Sequence, residues 1–259
     1  MLIDTHCHLD AVEFDGDRDA VAQAAQDTGV DRIIVPAVEK GNFAAVRDCC
    51  RRYCGCFPAY GIHPLYLERA VEDDLLFLKE WAIHELAGSN PLVAIGEIGL
   101  DFFVSGHDAA LQEEFFVAQL KLARDLDLPV LLHVRRAVDQ VLKCLRRVRV
   151  KGGIAHAFNG SIQQAEEFIR LGFKLGFGGA MTYPGSTRIR RLAYALPLEA
   201  IVLESDAPDM PPVWLSGGRN SPTQLVPIAQ ALADLRNLPL NQIIQSSSIN
   251  VRQVIPALL

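Results

Sequence analysis

Residues 129–156 open with Pro129-Val130-Leu131-Leu132-His133, pass through an amphipathic stretch at Val138–Val148, and close with Gly153-Ile154-Ala155-His156. The two outer pieces are short apolar runs bounded by turn residues, which is how strands covered on both faces read. The middle piece repeats its apolar residues at helical spacing. A strand, a helix and a second strand in that order make a parallel crossover unit. Each of its two strands ends in a histidine.

The unit repeats in both directions. Strands are predicted at Leu2–His6, Arg32–Pro36, Phe57–Gly61, Val93–Ile98, Val130–His133, Gly153–His156, Phe173–Phe177 and Ile201–Glu204. Helices are predicted at Asp17–Asp27, Phe43–Tyr53, Asp73–Ala87, Ala109–Leu126, Val138–Val148, Ile162–Leu171, Arg188–Ala195 and Thr223–Asn237, with a further one at Leu240–Val254. Ser161 with Gln164 forms a capping box for the sixth. Eight strand–helix pairs close most economically into a (β/α)₈ TIM barrel, an α/β fold of roughly 250 residues. The 259 residues, half of them hydrophobic, suit one such domain spanning 1–259. No composition shift, low-complexity tract or linker divides the chain.

The strand ends carry the chemistry. His6 and His8 follow the first strand, Glu97 the fourth, His133 the fifth, His156 the sixth and Asp206 the eighth. Any one of these histidines alone reads as a hydrogen-bonded core residue, and Asp206 alone as a cap. In a barrel, however, the C-terminal strand ends converge, and four imidazoles with two carboxylates make a metal site. If the first strand runs through His6-Cys7-His8, the two rings point to one side. His133 and His156, on adjacent strands, can share a second ion. Glu97 has two oxygens and can bridge both. Asp206 closes the ring beside the first strand, where it can ligate the first ion and take a proton from an attacking water.

Other residues surround this set. His63, in Gly61-Ile62-His63-Pro64, is placed to orient a substrate phosphate or an outer ligand. Asp101 is expected to hold a ligand histidine or a loop. Arg135 and Arg188 belong to local basic clusters, and the glycines from Gly176 to Gly185 could let backbone N–H groups approach a phosphate beside Arg188. The long loop Asp206–Pro222 is expected to wall the site. His84 and His107 read as surface residues, and Arg146–Lys151 as a solvated helix face.

The formal net charge of −6 argues against nucleic-acid binding through general basicity. It does not exclude a nuclease whose metals hold the phosphate. The six cysteines lack paired CxxC spacing and read as reduced, partly buried thiols. The first residues lack the basic and long apolar regions expected of a signal peptide, and no run of ~18 apolar residues suggests a membrane span. A soluble, cytoplasmic monomer with no membrane partner is expected.

Several blocks are then familiar together: Asp4-Thr5-His6-Cys7-His8-Leu9-Asp10, Gly61-Ile62-His63-Pro64, Gly96-Glu97-Ile98-Gly99-Leu100-Asp101, His156-Ala157-Phe158-Asn159-Gly160 and Glu204-Ser205-Asp206-Ala207-Pro208. Over nearly the whole length the chain resembles the TatD family of metal-dependent deoxyribonucleases. Arg135-Arg136, Thr182-Tyr183-Pro184 and Asp209-Met210-Pro211 look most like its YjjV-type subgroup. The resemblance implies a barrel that hydrolyses phosphodiesters, typically from the 3′ end of DNA, with single-stranded DNA the expected substrate. It also implies two divalent ions (zinc, manganese, nickel or magnesium). One ion would take His6, His8, Glu97 and Asp206, and the other Glu97, His133 and His156. Two places depart from the family pattern. Arg219-Asn220-Ser221-Pro222 lacks a carboxylate that many members carry at the third position, and Ala157-Phe158-Asn159-Gly160 replaces Cys-Phe-Ser-Gly. Three alternatives stay open: an amidohydrolase-like C–N or ester hydrolase, including one that deacylates aminoacyl-tRNA; a PHP-type phosphatase, against which the Gly96–Asp101 block argues; and a non-catalytic metal-binding barrel.

Overall fold

The structure, a computed structural model, describes residues 2–258. Eight strands, β1 (Leu2–Asp4), β2 (Val30–Pro36), β3 (Cys56–Tyr60), β4 (Ala94–Asp101), β5 (Val130–Arg135), β6 (Gly153–Ala155), β7 (Phe173–Phe177) and β8 (Ile201–Leu203), lie side by side in chain order. Every pairing from β1–β2 to β7–β8 is parallel. Between them run α1 (Arg18–Asp27), α2 (Phe43–Arg52), α3 (Asp73–Leu86), α4 (Ala109–Asp125), α5 (Val138–Arg147), α6 (Ile162–Arg170), α7 (Thr187–Ala195) and α8 (Leu225–Arg236). A ninth helix, α9 (Leu240–Val254), packs on β1 and β8. The expected TIM barrel is the observed fold.

The helices form where the apolar spacing places them. In α5, Val141, Leu142, Cys144 and Leu145 turn inward, while Arg146 and Arg147 end the helix in solvent, where positive charge suits the helix dipole. At the start of α6, Ser161 Oγ accepts the Gln164 N–H at 3.1 Å and Gln164 Oε1 accepts the Ser161 N–H at 2.8 Å, closing the predicted capping box.

The ring closes at a seam between β8 and β1 that loops stitch together. The Thr5 N–H donates to Leu203 O at 3.2 Å, the Asp206 N–H to His6 O at 2.8 Å and the His8 N–H to Ala207 O at 2.8 Å. Buried Asp4 adds side-chain bonds to the same seam. Its Oδ1 accepts the Ser205 N–H at 2.9 Å, and its Oδ2 accepts the Ser205 hydroxyl at 2.6 Å.

The barrel floor is apolar. Ile3, Ile34, Ala59, Ala94, Leu131, Ile154 and Val202 are fully buried and pack with Val251 and Val254 of α9, and with Ile255 and Leu258 beyond it. A larger apolar layer lies between the strands and the outer helices. Among the described residues no helix is long and apolar enough to cross a membrane. All six cysteines are free thiols, five of them buried and Cys54 exposed.

Candidate metal centre

Glu97 stands in the middle of β4, 3 % exposed, with its two oxygens facing different neighbours. Oε2 lies 3.1 Å from His6 Nε2 and 3.7 Å from His8 Nε2. Oε1 lies 3.1 Å from His133 Nδ1, 3.2 Å from His156 Nε2 and 3.5 Å from His63 Nε2. His6 Nε2 is also 3.3 Å from His8 Nε2 and 3.7 Å from Asp206 Oδ1, and its ring stacks on His156 at 4.0 Å. All six predicted metal residues therefore meet around one carboxylate.

The elements that bring them there differ from expectation in detail. β1 stops at Asp4, so His6 and His8 lie on the loop that the seam bonds pull toward β8, not on a strand. Their rings converge because that loop turns, not because strand residues alternate. His133 and Glu97 do not end their strands, since β5 runs on to Arg135 and β4 to Asp101. The pairs Gly99–His133 and Asp101–Arg135 fix that extension. Gly99 permits it: a Cβ there would sit 1.9 Å from His133 O, and its φ of 154° lies where side chains strain the backbone. His156 stands one residue past β6 and Asp206 three past β8.

Supporting contacts set the rings. Asp101 Oδ2 lies 2.9 Å from His133 Nε2, and Oδ1 accepts the N–H groups of Phe103 and Val104 at 2.8 and 3.1 Å. Both expected roles of Asp101, holding a histidine and holding a loop, are met. With Asp101 on the far nitrogen, the ring is oriented so that His133 Nδ1 faces Glu97. His63 is fixed the other way: its Nδ1 accepts the Leu65 N–H at 3.1 Å, so its remaining N–H sits on Nε2 and points at Glu97.

Electrostatics follow from burial against this crowding. Burial alone would push Glu97 up, but the imidazoles of His6, His63 and His156 and the hydrogen bond with His133 hold its carboxyl well below the usual range. Burial drives His6 down and His63 down to about 3. His133 is raised, against burial, by its bonds to Asp101 and Glu97. His156 is raised well above its ordinary value by the charges of Glu97 and Asp206, again against burial. Burial lifts Asp206.

The cluster lies at the bottom of a groove of about 1690 Å³. Both expected arginines, Arg135 and Arg188, line it, as do Arg136, Phe103, Asp209 and Met210. Four non-glycine residues that line it, Arg136, Ala157, Asp206 and Met210, hold the left-handed conformation, with φ of 45 to 56°. Such residues cluster where a surrounding fold holds a site in shape. The loop from Asp206 thus walls the site. Two glycines of the expected phosphate loop after β7 make room for protein instead. A Cβ at Gly176 would meet Glu204 Oε2 at 2.1 Å, and one at Gly179 would meet Met210 O at 2.2 Å, so these glycines admit protein atoms, not an anion. Ser221, where many family members carry a carboxylate, accepts the Thr223 N–H at 3.3 Å. His84 is exposed as expected, but His107 is largely covered and leans on Glu68 at 3.6 Å.

Two contributors escaped the sequence reading. Glu204 is buried beside His156, with Oε1 accepting the Ala157 N–H at 2.6 Å and lying 3.6 Å from His156 Nδ1. The signal for it was a carboxylate one residue past β8, facing glycine in β7. Phe103 lies under Arg135 and Arg136.

The donor set fits divalent metal. His6 Nε2 faces a second imidazole nitrogen and two carboxylates at once, and one N–H cannot serve three acceptors, whereas a cation can. Nδ1 of His6 has no hydrogen-bond partner among the described residues. Imidazole with carboxylate is the ligand chemistry of zinc, manganese or nickel more than of magnesium.

The family profile described as TatD related DNase matches residues 3–256. YjjV of Escherichia coli K12, named an uncharacterized metal-dependent hydrolase, is 42% identical over 245 residues, 94% of this chain and 93% of that protein. Its crystal structure, described as a TatD homologue, matches with a TM-score of 0.94 at 40% identity and covers 98% of both chains. Human deoxyribonuclease TATDN3 is 29% identical over 265 residues, 99% of this chain and 95% of that one. The likeness to the YjjV-type subgroup is borne out.

Proposed function

Since this chain belongs to the TatD family of related DNases, we propose that it is a two-metal phosphodiesterase that shortens single-stranded DNA from its 3′ end. The observation that carries the two-metal part is the division of Glu97, with Oε2 toward His6 and His8 and Oε1 toward His133 and His156. His6, His8, Glu97 and Asp206 would hold one ion, and Glu97, His133 and His156 the other. Bound there, divalent ions neutralise charge on the phosphoryl group and its leaving oxygen.

The chain's own residues do the rest. Asp206 is buried beside the cluster, with Oδ1 3.7 Å from His6 Nε2, where its carboxylate can take a proton from the attacking water. His63, neutral with its N–H on Nε2, donates to a phosphoryl oxygen and so orients the substrate. Asp101 keeps His133 Nδ1 turned toward Glu97. Arg135 and Arg188 line the groove along which a strand would approach.

The test is turnover by metal-stripped protein refilled with zinc, manganese, nickel or magnesium in turn. Labelled single-stranded DNA should shorten stepwise from its 3′ end, and a closed circular strand should resist. Circles cut as fast as linear strands would reject the exonuclease reading. Turnover of a carboxylic-ester or aminoacyl-tRNA panel without DNA cleavage would favour the C–N or ester hydrolase instead. Metal analysis should approach two ions per chain, and saturation at one would reject the two-metal assignment.

A further inference from the structure

We propose that Phe103 holds Arg135 and Arg136 as a clamp for a second phosphate of the bound strand, a step that rests on the nuclease reading above. Two features together carry it, a ring shared by both guanidinium groups and the lack of a close carboxylate. Stacking by itself is not the signal, since Arg52 and Arg219 also lie over rings, at 5.5 and 4.6 Å, yet donate to carboxylates. Arg18, Arg52, Arg146 and Arg219 each meet a carboxylate at 2.6 to 2.7 Å, as surface arginines on an acidic chain tend to do. In the groove, Arg136 has no carboxylate partner among the described residues, and Arg135 reaches only Asp101, at 3.9 Å.

What fixes these two side chains is a ring. The Arg135 guanidinium carbon stands 3.8 Å from the centroid of Phe103 and that of Arg136 stands 4.6 Å from it. An arginine held through a carboxylate has used donors along one edge. An arginine held through its face keeps its in-plane N–H groups for a ligand. The stack is anchored as well as exposed. The Phe103 N–H donates to Asp101 Oδ1, and Asp101 Oδ2 in turn meets His133. α5 begins just after Arg136, and its N-cap Ala137 offers no side-chain acceptor, so positive potential from the helix adds at the same place.

Position says what the clamp takes. Arg135 connects to Glu97 only through Asp101 and His133, at 3.9, 2.9 and 3.1 Å in turn, and Arg136 shares its ring, so the phosphate we assign to the clamp is a different one from that over the cluster. The ligand therefore carries at least two linked phosphates, which a single-stranded oligonucleotide supplies and a compound with one phosphate does not. The groove's volume of about 1690 Å³ exceeds the ~300–1,000 Å³ that suits a compact small molecule.

Steady-state cleavage of a thymidine dinucleotide and a thymidine dodecamer by the full-length, metal-loaded enzyme tests this. The dinucleotide has one phosphodiester and cannot fill both positions. Wild type should prefer the dodecamer in kcat/KM. In Arg136→Gln and in Phe103→Ala that preference should shrink about tenfold, the order expected for one charge-assisted hydrogen bond. The change should appear in KM, and the salt dependence of log kcat/KM for the dodecamer should flatten by ~0.7 for each phosphate no longer neutralised. Phe103→Tyr keeps the ring and should restore the preference. A preference that survives in both variants, or a wild type that shows none while still cutting DNA, overturns the clamp and leaves the nuclease reading standing. A wild type that cuts neither length under any metal overturns both.

Discussion

The floor and the mouth of this barrel are a few residues apart on the same strands, yet they are built on opposite principles. At the floor, Ile3, Leu131, Ile154 and Val202 bury hydrocarbon against α9 and Leu258. At the mouth, His6, Glu97, His156 and Asp206 are almost as deeply buried, but they bring ionisable groups and, on His6, a ring nitrogen without a hydrogen-bond partner among the described residues. Burial of apolar area stabilises at ~25 cal/mol per Å². Burial of ionisable groups opposes folding unless a partner compensates them. One end supplies stability and the other holds groups in an arrangement that folding alone would not favour.

Asp206→Asn should show the largest effect and fall at the mouth alone. The amide keeps an oxygen of similar size but no longer accepts a proton, and positioned acid–base groups contribute ~10²–10⁴-fold in rate. Turnover at saturating metal should drop by that order, while the unfolding midpoint of chelated protein holds or rises. Near-normal turnover would leave Asp206 a ligand only. The mirror experiment is Leu131→Ala at the floor, where a cavity should lower stability by ~2–5 kcal/mol. Urea unfolding of the chelated protein measures it. Should the destabilisation be small while turnover per folded molecule collapses, the division between the two ends is not as drawn.

The seam lies between the two regions and should give an intermediate result. Asp4→Asn keeps one carbonyl oxygen but sets an NH2 group in place of the other, so it cannot accept from both the Ser205 N–H and hydroxyl, and it should destabilise by ~1–3 kcal/mol at low pH. Burial also raises the Asp4 carboxyl to about 7, above the ~3.9 of an unfolded chain. The folded state therefore holds a proton that the unfolded state has released, and this part of the stability is lost as pH rises from about 4 to about 7. Comparing wild type with Asp4→Asn across that window in chelator should show the gap narrowing, and a parallel pair of curves would contradict it. Ser161→Ala, remote from floor and mouth, should cost about 1 kcal/mol through removal of the cap and change nothing in metal content. It sets the scale for an indifferent site.

The sequence was most legible where structure is local. Helix α9 falls at Leu240–Val254 as its apolar spacing predicts, and most other helices lie within a residue of expectation, because period and caps are properties of neighbouring residues. The six residues of the cluster were legible for a related reason: each follows an apolar run, and the barrel rule brings such ends together. Contacts between distant segments were not. That β1 stops at Asp4 depends on Leu203 and Ala207 drawing the next residues across the seam. Glu204 is explained only when Gly176 of β7 is seen to leave room for it. The pairing of Phe103 with Arg135 depends on the register of β4 against β5, which no single segment encodes.

Thr5 and Leu203 are 198 residues apart in the chain, and their hydrogen bond is part of the last junction the ring can make. Closing so long a loop is opposed by entropy until other strands have brought its ends near, so contacts of this separation form late. His6 and His8 stand on one side of that junction and Asp206 on the other. A molecule arrested with seven strands assembled has Glu97, His133 and His156 gathered and lacks Asp206. On the nuclease reading proposed above, such an order would act as a safeguard: the immature protein would be unarmed, and competence would arrive together with the completed ring.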